Sequence, residues 1–525
     1  MKKTFLFLGV MLAVAFGAYK FFDKQAPGID REPSSLTRGE QQQMIDQMNL
    51  RILSIQSRSQ VKAVANEVIT VASSPEAAAY PAVQMYAAVA SLIPSLEGII
   101  YRCRQFVEQS DWIHMSALFG LRNFKYNDYL YGPHIEAIFD YLTYPSEQAG
   151  KPFRSVAELQ DYLLFKVAPQ LENFMKVAAQ LEQLPPENFE FQFDRTILVG
   201  QKVGLRFIDP LETKKTFIKP YFYTVEFLLQ RALGTIYYVS ALDLNELPMV
   251  SNRVLKTTTM NTFVGDLRLG MPVKGVTPMM TYETIKQSRT FLNWRNKISN
   301  AGQLVETQTL LDRAFYYGQV SAQNQLAAYV CGLKYPYMKS RGQMPNVDKV
   351  KDCSILDQVG STDSYFITEG SKYLFNPNSM ILNFKKKYNA FRDRVRAFSE
   401  ASQNRYAMIT SDVTGKSLQV YVKAFFNAKV PPRDFLPTGY SASTAASASN
   451  IAGVSAWNYD HGKPLRFKDY TFGGFFSASE VRDSDSLYQA MATLLYTDAI
   501  SPFAIFIRVP SPTRFFIPLS EIIRE

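Results

Sequence analysis

The sequence predicts a mainly α fold of stacked helical hairpins, solenoid-like or packed as an irregular bundle, with a smaller C-terminal α+β region. Three observations lead there. Apolar residues recur at three- and four-residue steps through most of 37–335, polar breaks carrying Pro or Gly interrupt them, and strand-like alternation is confined to 187–215 and to the region beyond 400. The composition agrees: with 47% hydrophobic and 14% aromatic residues in 525, the chain buries enough surface to fold, which excludes a disordered protein. At ~100–200 residues per domain the length suggests about three domains, or one helical array with an appendage.

The first segment reads as an export signal. Lys2 and Lys3 precede an uncharged run, Thr4 to Tyr19, closed by Lys20, Asp23 and Lys24. That run lies between the about 7–15 apolar residues of a signal peptide and the about 20 of a membrane span. Ala15 and Gly17 make a weak cleavage pair, so 1–22 is a signal peptide or a signal-anchor through residues 4–22, followed by a polar linker at 23–36. No Asn-x-Ser/Thr sequon occurs, and the expected compartment is the periplasm.

A helical domain is expected over 37–186. The charge-free stretch Ala77 to Leu96 contains Pro81, Gln84 and Pro94 and reads as buried helix. Ser155 and Glu158 form a capping box before a stripe of Leu159, Leu163 and Val167; beyond Pro169 the stripe continues through Leu171, Phe174, Ala178 and Leu181 to Pro185-Pro186. Over 187–215 a β-hairpin insert is predicted, from the alternation of Phe189, Phe191 and Phe193 and from Thr196–Val199 and Val203–Phe207 around Gly200. A second helical domain, 216–335, contains an aromatic helix at 221–243 (Phe222, Phe227, Leu228, Ile236, Tyr237) and a helix at 302–331 (Leu304, Leu311, Phe315, Ala322, Leu326). A loop region at 336–378 precedes 379–525, a basic amphipathic helix followed by an α+β cap. Its strands are expected at Tyr406–Thr410, Leu418–Phe425, Ala504–Val509 and Arg514–Leu519, with Thr438–Trp457 an exposed small-residue loop. The helical succession resembles tetratricopeptide-like arrays in architecture alone, because their signature of about 34 residues is not repeated.

Motifs for chemistry are scarce. Gly415-Lys416-Ser417 lacks the upstream Gly of a phosphate loop, with Thr410 in its place, and reads as a hairpin turn. Asp483-Ser-Asp485-Ser lacks the ligands of a calcium loop and reads as a helix N-cap. The three His (His114, His134, His461) and three Cys (Cys103, Cys331, Cys353) are far apart, and no cofactor, metal or catalytic residue is assigned. His134, at a turn entering a helix, is the first choice for a titrating group. Cys331 and Cys353 bracket a Gly/Pro/Lys-rich loop and are a candidate disulfide, worth ~3 kcal/mol by loop entropy. Cys103 is expected to be a free core thiol.

The candidate binding residues lie on the helix at 379–400. Ile381, Phe384, Tyr388, Phe391, Val395 and Phe398 form its apolar stripe, while Lys385, Lys386, Lys387, Arg392, Arg394 and Arg396 lie off it and carry much of the net charge of +10. The expected function is an exported, membrane-tethered helical scaffold, an accessory subunit of a bacterial envelope assembly. Its partners would be proteins of the envelope, with an anionic membrane surface as a further ligand and no nucleic acid. Two alternatives are a carboxylate-dependent envelope hydrolase acting on glycan or peptide, and a carrier of an apolar ligand.

Overall fold

The computed structural model describes residues 38–77, 80–103, 133–143, 151–182, 191–194, 214–217, 219–249, 285–296, 298–300, 303–340, 391–410, 415–440, 459–460 and 463–497, with Phe106, Ile197 and Glu283. The protein is mainly helical, and its small sheets cluster later in the chain. Two compact units divide between Ile236 and Tyr237. No solenoid repeat is visible among the described residues.

The first unit begins with α1 (Arg38–Leu53), α2 (Arg58–Ala72) and α3 (Pro81–Leu92). Pro81 starts α3 at a position where its missing N–H has no intrahelical partner to lose. Ala82, Val83, Ala87, Ala88 and Leu92 are buried, as are Val61, Val64, Ala65 and Val68 of α2, which packs against α3 through these small side chains. The Gln84 amide donates to the carbonyls of Ala72 and Ala77, both at 3.1 Å, and so closes the end of α2. The helical run Ala82–Arg102 is long and apolar enough to cross a membrane, yet most of it is buried inside this unit.

After α4 (Ile99–Arg102) and α5 (Pro133–Thr143), α6 (Val156–Tyr162) and α7 (Ala168–Leu181) are joined by a π turn at Leu163–Val167. Ser155 Oγ accepts the Glu158 amide at 3.1 Å, as a capping residue should, while the Glu158 carboxylate takes the Arg154 amide at 2.6 Å rather than that of Ser155. Pro169 can offer no N–H to the preceding turn, and the wider π turn lies just ahead of it. The buried face runs through Val156, Gln160, Leu164 and Val167 and on through Leu171, Phe174, Ala178 and Leu181 of α7. The predicted Leu159 and Leu163 are only half-buried, since Gln160 and Leu164 take the inward positions beside them. The Arg102 guanidinium lies 4.0 Å from the Phe153 ring centroid and 4.4 Å from that of Tyr162, tying α4 to α6 by cation–π contact.

Strand β1 (Phe191–Asp194) pairs antiparallel with β2 (Lys214–Phe217), and the predicted hairpin segments 196–199 and 203–207, Ile197 apart, lie outside the described residues. The Gln42 amide of α1 donates to Gln192 O at 2.8 Å and accepts from Gln192 N at 2.7 Å, so one side chain replaces a neighbouring strand on the edge of β1. Helix α8 (Lys219–Ala241) is buried on most sides through Phe222, Tyr223, Phe227, Leu228, Leu229 and Leu233.

In the second unit, β3 (Ile298–Asn300) and β4 (Gln303–Val305) form a hairpin before α9 (Thr307–Ser340). Leu304, predicted for the helix core, lies on β4 and is 65% exposed, because the helix starts only at Thr307. Leu311, Phe315, Ala322 and Leu326 do face inward. Helix α10 spans 391–402. It meets α9 where the Phe398 ring covers Gly318; a Cβ there would stand 2.9 Å from that ring.

Strands β5 (Ala407–Thr410) and β6 (Ser417–Val420) are antiparallel, with Gly415 left-handed between them at φ +67°. The predicted strand to Phe425 stops early and becomes a 3₁₀ turn, Val422–Phe426. Phe426 then packs on Tyr238, Phe315 and Phe398, while Phe425 meets Phe435 and Phe475. β7 (Gly439–Tyr440), β8 (Tyr459–Asp460) and β9 (Lys463–Arg466) make a three-stranded sheet in the order β7-β9-β8. Helix α11 (Ser484–Thr497) follows a cap at Asp483, whose Oδ1 accepts the Ser486 amide at 2.9 Å and hydroxyl at 2.7 Å. The predicted strands at 504–509 and 514–519, and the segments 1–37 and 441–458, lie outside the described residues.

Gly318→Ala should destabilise the protein by about 1–3 kcal/mol through overpacking against Phe398. Phe398→Leu in the same chain should recover part of that loss, as read by urea unfolding; equal losses with and without the second change would contradict the packing. The bonds from Ser486 hold the Asp483 carboxyl below its ordinary value. Its contribution is therefore present above the unfolded-state pKa and is lost as pH falls through the lower folded one. Asp483→Ala should cost about 0.5–2 kcal/mol at neutral pH and flatten the acid limb of the stability profile.

Candidate protein-binding surface

Of the six predicted binding cations, Lys385, Lys386 and Lys387 lie outside the described residues, and Arg392, Arg394 and Arg396 occupy three different settings. Arg392 Nη2 stands 3.4 Å from Asp393 Oδ1, and Asp393 is buried. Arg394 Nη1 donates to Gln325 Oε1 of α9 at 2.6 Å, and its guanidinium lies 5.9 Å from the Phe391 ring centroid. Arg396 is exposed, with Nη1 3.5 Å from the Met408 carbonyl oxygen.

The buried side of α10 runs through Asp393, Ala397, Phe398 and Ala401, whereas Phe391 and Val395 of the predicted stripe are half-buried. The stripe is thus rotated from its predicted position. Small alanines set the approach of α10, and Phe398 alone of the stripe's described residues enters the core. Two of the three arginines are consequently engaged by neighbours in the fold. Arg396 points to a different surface.

That surface is the β5–β6 hairpin. Ala407 and Ile409 are buried, and Met408 and Thr410 face out. Across the hairpin the outward residues pair: Tyr406 and Tyr421 have ring centroids 5.5 Å apart, and the Thr410 and Ser417 hydroxyls are 2.9 Å apart. Tyr406 and Met408 are 41% and 42% exposed. The Tyr406 hydroxyl donates to Gly474 O at 2.9 Å and that of Tyr421 to Asn404 Oδ1 at 3.2 Å. Burial raises both phenol pKa values, and the Tyr406 phenol adds to the rise at Tyr421, so both remain neutral donors. Around the start of β5, Lys423 Nζ lies 3.5 Å from Asn404 Oδ1, and Arg405 pairs with Glu400 at 2.9 Å. Of the three cations Arg396, Arg405 and Lys423, only Arg405 is in an ion pair among the described residues; Arg396 and Lys423 lie against the oxygens of Met408 and Asn404.

The remaining predicted residues are placed as follows. Cys331 falls within α9, and Cys353 lies outside the described residues. Cys103 is a free thiol whose pKa burial pushes up to about 12, which suppresses the thiolate. His134 is buried in the first turn of α5, with Nε2 3.2 Å from Ile197 O. His114 and His461 lie outside the described residues. Two carboxylates, Asp194 and Asp46, bear on Tyr86, whose hydroxyl donates to Asn49 Oδ1 at 2.6 Å; burial first and then these charges raise its pKa. Among the described residues no cluster of three His, Cys, Asp or Glu side chains is placed to hold a metal.

Sequence reasoning missed Arg433. Its guanidinium donates to four carbonyls, Ile285 at 3.3 Å, Phe291 at 2.9 Å, Lys286 at 3.1 Å and Ser288 at 2.6 Å. Lys286 in turn donates to Pro437 O, and burial lowers its pKa, aided by Arg433 and opposed by Glu283. Only the Pro431-Pro432 pair beside Arg433 hinted at a fixed turn.

No family model matches the chain, and no curated protein or solved structure is significantly similar to it.

Arg394→Glu should therefore lower stability by about 1.5–3 kcal/mol, because it replaces the charge-assisted donor to Gln325 Oε1 with a carboxylate, which can only accept. Arg396→Glu should change stability by less than about 0.5 kcal/mol. Urea midpoints of the two variants in the intact chain check the order, and the reverse order would overturn the assignment of surface to fold.

Proposed function

We propose that the protein is an exported, membrane-tethered helical scaffold, an accessory subunit of a bacterial envelope assembly, whose work is binding other proteins. The observation that carries the binding half is the exposed group Arg396, Tyr406 and Met408. A cation and two large side chains stand partly exposed together on one outward hairpin face. The basic run before an uncharged segment at Thr4–Tyr19 supports export, and the weak Ala15/Gly17 site supports retention as an anchor. Stacking of α2 on α3 supports the helical-hairpin architecture, as one such hairpin. Anionic lipid is a further ligand for the basic run Lys385–Lys387.

Fractionation of cells with N-terminal sequencing should find the chain in the membrane fraction with residues 4–22 retained. A soluble species beginning at Ala18 would sink the anchor. Partners that co-purify from membranes with the wild type should be reduced by Arg396→Glu and retained by a charge-conserving Arg396→Lys.

A further inference from the structure

We infer that the outer edge of β5 receives an extended, acidic segment of a protein partner as an added strand, an inference that rests on the protein-binding reading above. The two edges of the hairpin differ. On β6, Gln419 N donates to Glu480 Oε2 at 2.8 Å, and Val420 bridges to Phe476, so that edge is already occupied. Gln419 is paired with Met408. Since its amide points away from β5, this is the non-bonded kind of antiparallel pair, and the Met408 N–H and C=O point away from β6. Thr410, two residues on, repeats the orientation.

An edge of this kind is a template for another strand. Here it is guarded weakly: Arg396 Nη1 lies 3.5 Å from Met408 O, at the limit of a hydrogen bond. An incoming amide would take that carbonyl at normal length, and the released guanidinium would meet a carboxylate of the incoming chain. Arg396, exposed and standing at the edge itself, sets the preference for acid. The exposed Tyr406 and Met408 side chains offer contact for alternate residues of the added strand. A second copy of this surface is the poorer occupant, because it would bring the same cations together.

The probe is a fluorescein-labelled decapeptide of alternating Thr and Glu, read by anisotropy against the full chain at low salt. It is expected to bind, with the Thr/Lys counterpart at least tenfold weaker. Met408→Pro removes the outward N–H without deleting a bond to β6, and Arg396→Glu reverses the guard; each should weaken the probe at least tenfold while keeping the wild-type melting curve. Should Met408→Pro fail to fold, hydrogen exchange on the wild type decides the matter: the Met408 and Thr410 amides should gain protection when peptide binds. Unchanged exchange, or wild-type affinity in both folded variants, overturns the proposal. Binding of phosphatidylglycerol vesicles without binding of the peptide overturns it in favour of a lipid surface. Membrane co-purification separates the two levels. Partners kept by both variants sink the edge and leave the scaffold standing, whereas a wild type that retains no partner sinks the scaffold reading and leaves the peptide titration to judge the edge.

Discussion

The second unit depends on a single pair of neighbouring side chains, Phe425 and Phe426. Had the strand from Ser417 continued through them, one would face inward and the other outward. The 3₁₀ turn at Val422–Phe426 instead turns both inward, in different directions. Phe426 gathers Tyr238, Phe315 and Phe398, and Phe425 gathers Phe435 and Phe475, from which the contacts run on to Phe476 and Phe472. At about 0.5–1.5 kcal/mol per ring pair beyond area burial, such a chain of contacts sets which elements can dock. Helix α10 docks through Phe398, and the loop at Phe472–Phe475 is held in a left-handed path by Asp469, whose carboxylate accepts the Thr471 and Gly473 amides at 2.8 and 2.7 Å.

A second constraint recurs in both units: where regular structure stops, one side chain supplies the missing backbone partner. The Gln42 amide completes the edge of β1. Gln308 does the same at the end of the 3₁₀ turn, donating to Phe426 O and accepting from Ala428 N, both at 3.0 Å. Arg433 serves the carbonyls of 285–291. Buried carbonyls without partners cost about 1–3 kcal/mol each, so these three residues allow short sheets and turns to exist without large sheets around them. The same logic makes β5 distinct, since the partner offered to its edge is an exposed arginine at 3.5 Å.

What was legible in the sequence is what local chemistry determines. Leu171, Phe174, Ala178 and Leu181 face inward because a helix has one period, Ser155 and Asp483 cap because their side chains reach the amide three residues on, and Gly415 turns because it tolerates positive φ. Beyond local chemistry the reading fails for identifiable reasons. The inward face of α6 passes through Gln160, a polar residue that a search for apolar repeats passes over, so the repeat assigns Leu159 and Leu163 to the face in error. β1 pairs with 214–217 because strand partners are chosen by tertiary packing, which alternation at Phe189–Phe193 does not encode. Leu304 fits a helical stripe and lies on a strand because three residues of hairpin precede the helix.

The candidate surface illustrates the same limit for charge. Lys385 to Arg396 reads as one basic face because formal charge is visible in sequence, whereas the group that each charge meets is not. The Gln325 amide, a buried Asp393 and the Met408 carbonyl come from three different places in the fold. The number of cations in a helix is therefore a poor measure of its binding capacity. A better one is the quality of the bonds they already make: Arg394, at 2.6 Å from its acceptor, is bound into the helix pair, and Arg396, at 3.5 Å and exposed, can exchange its acceptor for another at little cost. Bond length rather than charge density thus points from α10 to β5. The surface there combines an edge, two exposed large side chains and a displaceable guanidinium, a combination that a charge run alone would never have located.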